Sequence, residues 1–150
     1  MLDSFTADMT STWGVIWTFL HDRGVLTLTD NISLRTSYPA LPWMGIIAVG
    51  YYMGRLYAKG YDATKRSKLL LAIAAAGILA FVLLRFTNLY GEANLFDSSA
   101  SGIMAWMSFF NVTKYPPSLQ FILMTLAPAS LILMLSEKWT GWWVDFTVTF

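Results

Sequence analysis

The segment Leu69–Phe86 reads LLLAIAAAGILAFVLLRF, and between Leu69 and Leu84 no side chain can form a hydrogen bond. As a helix, at ~1.5 Å per residue, it reaches about 27 Å, close to the hydrocarbon thickness of a bilayer. In lipid every backbone N–H and C=O must find its partner inside the segment, and a helix achieves that. The expected fold class is therefore all-α, a polytopic transmembrane helical bundle. Composition agrees. Of the 150 residues 56% are hydrophobic and 13% charged, against about 25% charged in an ordinary soluble domain. Mean hydropathy is +0.53. Seven Trp and seven Tyr suit a chain rich in bilayer-interface positions.

Two further stretches extend the bundle to three expected spans, at about 39–56, 69–86 and 118–135. The first, YPALPWMGIIAVGYYMGRLY from Tyr38, carries no charge before Arg55. Ser37 is its expected cap and the prolines suit a helix start. Gly50 and Gly54 form a GxxxG pair that lets a neighbour approach closely. In the second span Ala72, Ala76 and Ala80 offer a similar smooth face. The third, SLQFILMTLAPASLILML, adds Gln120, Thr125, Ser130 and an internal Pro128. Polar groups are expensive against lipid, so this helix is expected to turn them to the bundle interior.

Between the spans lie shorter apolar segments. Trp13, Ile16, Trp17 and Leu20 recur at helical spacing, with Ser11 or Thr10 as cap and Gly24 as stop, and predict an interfacial helix. VLTLTD alternates briefly and reads as extended. SSASGIMAWMSFF, with Asp97 or Ser98 as cap, predicts a second short helix, either a lid or a lipid anchor through Trp106 and Phe109. Trp142, Trp143, Val144, Phe146, Val148 and Phe150 read as the start of a fourth apolar segment, so the expectation is a fragment of a larger chain.

Orientation follows from charge. Arg55, Lys59, Lys65, Arg66 and Lys68 face only Asp62 in one short connection, so the loop around 57–68 is expected in the cytoplasm. The flanking segments, with Asp3, Asp8, Asp22 and Asp30 against Arg23 and Arg35, fit the outside. The early acidic residues also leave no signal peptide visible. Tyr38–Pro39 and Tyr115–Pro116 are then both expected on the extracytoplasmic face.

Several chemistries are excluded. With no cysteine there is no disulfide or thiolate, and one histidine cannot build a multi-histidine metal site. A net charge of +1 gives no basic stripe for nucleic acid. His21 is the single side chain titrating near neutrality, but it sits beside Asp22 and Arg23 at the end of the first helix, where a helix-end role is commoner than catalysis.

The best cluster opens the third span, in NVTKYPPSL from Asn111 to Leu119. Lys114 lies near a helix N-terminus, where the dipole is also positive, so the two together would attract an anion such as a phosphate or carboxylate. Tyr115 adds a hydroxyl, Ser118 a cap or donor, and Arg85, at the end of the second span, could join them. Singly, Lys114 and Arg85 read as cations snorkelling to headgroups. The candidate cavity residues are Lys114, Tyr115, Ser118, Asn111, Arg85, Tyr38, Trp43 and His21.

YPALPWMGIIAVGYYMG (Tyr38–Gly54) and FFNVTKYPPSLQFILMTLAP (Phe109–Pro128) resemble the heparan-alpha-glucosaminide N-acetyltransferase catalytic-domain family, and WTFLHDRG (Trp17–Gly24) fits its outer segment. The resemblance runs over most of the chain from Trp13. It implies an all-helical membrane transferase, in a bacterial inner membrane, that moves an acyl group from acetyl-CoA or another acyl-CoA to a sugar or glycan. The family's catalytic histidine belongs to a more N-terminal region that His21 does not match, and its C-terminal spans are also missing, so no catalytic residue and no metal carry over. The implied partners are the lipid bilayer, further helices of the same parent chain and a sugar acceptor. The alternative is a membrane protein with a structural or interaction role and no catalysis.

Overall fold

The computed structural model describes residues 11–21, 24–29, 32–36, 38–142 and 144. They form helices α1 (Thr12–Leu20), α2 (Ala40–Gly54), α3 (Ala63–Thr87), α4 (Ile103–Phe110) and α5 (Leu119–Ser136), strands β1 (Gly24–Thr29) and β2 (Ile32–Thr36), and a 3-10 turn at Arg55–Tyr57. The chain divides into two compact units. One holds α1, the strands, α2 and the segment Thr113–Ser118. The other begins at Leu56, inside the 3-10 turn, and holds α3, α4 and α5.

In the first unit α1 starts where the Ser11 side chain accepts from the Gly14 N–H at 3.0 Å, satisfying one of the orphan donors of a first turn. It ends at Leu20, with the His21 N–H on the Trp17 carbonyl, and Gly24 opens β1 instead of stopping the helix. The buried positions of α1 are Gly14 and Thr18, while Trp13 and Ile16 of its apolar face are exposed. The described residues are mostly helical, as expected, with one two-stranded hairpin added where the short alternation reads as extended. β1 and β2 pair antiparallel from Gly24↔Thr36 to Thr29↔Ile32, with an irregularity between Thr27 and Thr29. The alternating Val, Leu and Thr residues of VLTLT suit a pleated ribbon better than a helix. Thr36 closes its end, taking the Gly24 N–H and donating to the Gly24 carbonyl.

α2 begins at Ala40 with no side-chain cap, and Ser37 lies outside the described residues. At 15 residues and ~1.5 Å each it reaches about 22 Å, short of the hydrocarbon core. Among the described residues two helices, α3 and α5, are long and apolar enough to cross a membrane, where three spans were expected. A Cβ added at Gly50 or Gly54 would meet nothing within 4 Å, so the GxxxG pair has no neighbour among the described residues.

α3 is longer than expected because Asp62 caps it, accepting the Lys65 N–H at 2.8 Å. Lys65, Arg66 and Lys68 therefore belong to its first turns and not to a loop. Leu70, Ala74, Phe81 and Arg85 are buried, and with Gly77 they form one stripe spaced by three and four residues, the spacing of a helix–helix seam. Ala72 and Ala76 lie two residues from Leu70 and Ala74, about 200° round the helix, and are exposed.

The partner of this stripe is α5, whose buried residues are Gln120, Ala127 and Ser130. A Cβ at Gly77 would lie 2.6 Å from the Ala127 Cβ, so glycine is what permits this approach. Gln120 and Ser130 turn inward as expected. Thr125 stays exposed and returns its hydroxyl to the Phe121 carbonyl. The most apolar windows of α3 and α5 are only 22% and 17% buried, unlike the core helices of a soluble protein. The fourth apolar segment lies outside the described residues except for Trp142 and Val144.

Past α3 the chain is pinned rather than loose. Asn88 takes the left-handed conformation at φ 51 and caps the helix through its N–H to the Leu84 carbonyl. Its side chain donates to the Phe96 carbonyl and accepts the Phe96 N–H. Gly91 has φ 82, and a Cβ there would meet the Leu119 Cβ at 2.9 Å. α4 then starts at Gly102 without a side-chain cap. Asp97 turns instead to the Ser99 N–H and hydroxyl.

Candidate functional site

The first unit brings two distant Tyr–Pro corners together. The Tyr115 hydroxyl donates to the Tyr38 oxygen at 3.3 Å, and the rings meet edge to face with centroids 4.8 Å apart, an arrangement aromatic quadrupoles favour. Trp43, one turn into α2, stands 6.4 Å from the Tyr115 ring. The Lys114 Nζ lies 5.0 Å from the same ring centroid, within cation–π range. Pro39 and Pro117 are buried, and the Tyr115–Pro116 bond is cis. The Ser118 N–H closes the turn onto the Thr113 carbonyl at 3.0 Å.

Two features of this cluster bear on chemistry. The hydrogen bond with Tyr115 raises the Tyr38 phenol above its ordinary value, followed by the Tyr115 charge and burial, with the Lys114 charge opposing. Tyr38 thus stays protonated at neutral pH. The indole N–H of Trp43 is buried and has no hydrogen-bond partner among the described residues, and such a donor normally finds one. The cluster therefore presents an ammonium, two hydroxyls and an indole N–H. Among the described residues it contains no carboxylate and no imidazole.

The remaining candidates lie apart from that set in their bonding. Arg85 belongs to the second unit and is fully buried. Its Nε donates to the Phe109 carbonyl at 2.8 Å, Nη1 to the Asn94 carbonyl at 2.6 Å, and Nη2 to the carbonyls of Ser108 and Asn111. Its donors are directed at backbone carbonyls rather than toward a ligand. Asn111 gives its carbonyl to that clamp and lines an open groove of about 750 Å³ with Met104, Met107, Ser108 and Phe110. His21 stacks on Trp17 at 4.9 Å and 22°, which accounts for it as a helix-end residue.

Sequence reasoning missed one pair. Arg66 and Glu137 make a two-pronged ion pair, with Nε–Oε1 at 2.6 Å and Nη2–Oε2 at 3.1 Å, joining the start of α3 to the end of α5. The Arg66 guanidinium also covers the Tyr57 ring at 4.8 Å. Arg66 holds the Glu137 carboxyl below its ordinary value. Burial, then Glu137, pushes the Tyr57 phenol up. Residues so far apart in the chain offer no local pattern to find. Among the described residues no group of three or more acidic, histidine or cysteine side chains could hold a metal ion.

No family model, curated protein or solved structure matches this chain. The resemblance to the N-acetyltransferase family is carried by the quoted residues alone.

Proposed function

We propose that this chain is part of an integral-membrane acyltransferase, similar to the acetyl-CoA:amino-sugar N-acetyltransferases, that transfers an acyl group to a sugar or glycan at the extracytoplasmic face. One observation carries the reading. The two stretches that bear the resemblance come into contact through Tyr38 and Tyr115, and each polar side chain at that contact carries an N–H or O–H able to donate.

In this reading α3 and α5 cross the membrane, and α2 supplies a third span in the larger bundle. The basic segment from Arg55 to Lys68 stays in the cytoplasm by the positive-inside rule, and a bacterial inner membrane is the setting. The low burial of α3 and α5 supports lipid around them.

The donor set suits one anionic or hydroxyl-rich group, positioned by Lys114 and the Trp43 N–H. Acyl-CoA, the donor that the resemblance implies, carries several phosphates against this single ammonium. These residues alone do not fit the whole group, and no transfer step is derived through it. The lack of a carboxylate or imidazole in the cluster, with His21 stacked on Trp17, favours a second reading as a non-catalytic structural or interaction protein.

Acetyl transfer from acetyl-CoA to a glucosamine-terminated acceptor by the full-length protein separates the two. Lys114→Ala and Tyr115→Phe, at equal expression, are expected to lower kcat/KM by about tenfold or more, the loss of one charge-assisted contact of ~1.5–3 kcal/mol. Unchanged kinetics in both variants would remove the site, and absence of transfer in the unaltered protein would leave the non-catalytic reading.

A further inference from the structure

We propose that α4 is a membrane-interface helix whose Ile103, Met104, Trp106, Met107 and Phe110 insert among lipid acyl chains, fixed at that depth by the Arg85 clamp. The distribution of its side chains is the first ground. Ile103 is 76% exposed and Trp106 66%, and Met104, Met107 and Phe110 are exposed as well. The inward side carries the polar groups. The Ser108 hydroxyl accepts the Asp97 N–H, and the carbonyls of Ser108 and Phe109 accept from Arg85. A helix bathed in water shows the reverse pattern. Leaving five such side chains in water forgoes the free energy that their burial would gain.

Position is the second ground. Arg85 lies in the last turn of α3, the more apolar of the two long helices. Because its guanidinium grips Ser108, Phe109 and Asn111 together with Asn94, α4 is tied to the terminus of a spanning helix, where hydrocarbon meets headgroups. Phe109 locks the inner side against Phe81, Phe86 and Phe96, with centroids 5.2–5.6 Å apart. On the outer side Trp106 stacks on Phe110 at 6.2 Å and 13°, and large aromatics of that kind favour the bilayer interface. The methionines between them adapt to irregular apolar surroundings. A bilayer surface is the occupant that these grounds have in common, since the helix is apolar outward and held at the end of a span.

The chain has no cysteine, so single cysteines at Met104, Met107 and Phe110 can each carry a nitroxide. The full chain is reconstituted in vesicles of phosphatidylcholine and phosphatidylglycerol, and collision of each label with oxygen is compared with collision with a water-soluble nickel chelate. Oxygen is expected to dominate at all three sites. Dominance of nickel would place α4 in water as a lid, and low collision with both would place it under protein; either result overturns the proposal. Arg85→Lys keeps the charge but loses the planar fork. It is expected to move the Met107 label at least several-fold toward the nickel side, and an unchanged ratio would overturn the clamp. The three labels with Arg85 intact decide the lipid contact whether or not that variant folds.

Discussion

Gly77 is the position where α3 and α5 come closest, and its substitution gives a prediction with a calculable size. An alanine Cβ there would stand 2.6 Å from the Ala127 Cβ, but 3.7 Å from the Ala127 Cα and 3.9 Å from the Leu123 side chain. Carbon atoms pack at about 3.5–4.0 Å, so only the methyl–methyl contact is violated, by roughly 1 Å. Relieving it means separating the helices or shifting the seam, at about 1–3 kcal/mol. Replacing glycine by alanine in a helix recovers up to ~1 kcal/mol, so the net cost of Gly77→Ala is about 0–2 kcal/mol. Gly77→Leu, with no recovery large enough to offset its bulk, should cost more. Ala127→Gly alone loses about 1 kcal/mol of helix propensity. In the double variant the new methyl faces the Ala127 Cα position at ordinary contact distance, so the pair should be more stable than the sum of the single changes by about 1–3 kcal/mol, the clash that is relieved. Unfolding of the purified protein in mixed micelles, followed by far-UV dichroism, measures all four corners of the cycle. Additive effects within about 0.5 kcal/mol would mean that the two helices do not meet at this point.

Other positions give independent expectations. Arg66 lowers the Glu137 carboxyl below its ordinary 4.5; the folded state thus binds that proton less readily than the unfolded one. The resulting stability is fully present above about 4.5 and is lost as pH falls toward the depressed folded value, so a melting curve taken against pH should decline in acid, and Glu137→Gln should flatten this decline. Asn88→Gly retains the left-handed cap but loses two hydrogen bonds to Phe96, a cost of about 1–3 kcal/mol. Asn88→Ala adds left-handed strain of ~1–2 kcal/mol, so the alanine variant should melt below the glycine variant. Ser11→Ala should fray α1 at a cost of about 0.5–2 kcal/mol, seen as faster amide exchange at Gly14, with α3 unaffected.

The long helices were legible because their signals are local. α5 starts one residue after the expected boundary; its Gln120 and Ser130 are buried as expected, while Thr125 stays exposed and bonds back to its own helix. α3 contains the expected span and extends to Asp62, whose capping bond belongs to a turn that charge counting had assigned to a loop. The face of α3 was not legible, since an alanine every fourth residue and a stripe through Ala74 and Gly77 are equally smooth in sequence; Ala127 on another helix chooses between them. The hairpin was visible only as a short alternation, and Thr36, which closes it, acts across a gap of twelve residues. At the candidate site the sequence shows two Tyr–Pro corners expected on one face, and the contact between Tyr38 and Tyr115 is what the fold adds. Arg85 looked like a snorkelling cation because nothing local shows four carbonyls folding back around a guanidinium, and the Arg66–Glu137 bond depends on how α3 and α5 align at their far ends.

The most direct test is the side of the membrane reached by the two ends of α3. Lys59 and Leu95 are exposed and flank the helix, so each is replaced by cysteine in the otherwise cysteine-free chain and treated with a membrane-impermeant maleimide in right-side-out and inverted vesicles. Leu95→Cys is expected to react from the outside and Lys59→Cys only from the cytoplasmic side. Reaction of both from the same side would contradict a membrane-crossing α3, and with it the membrane acyltransferase built around that helix.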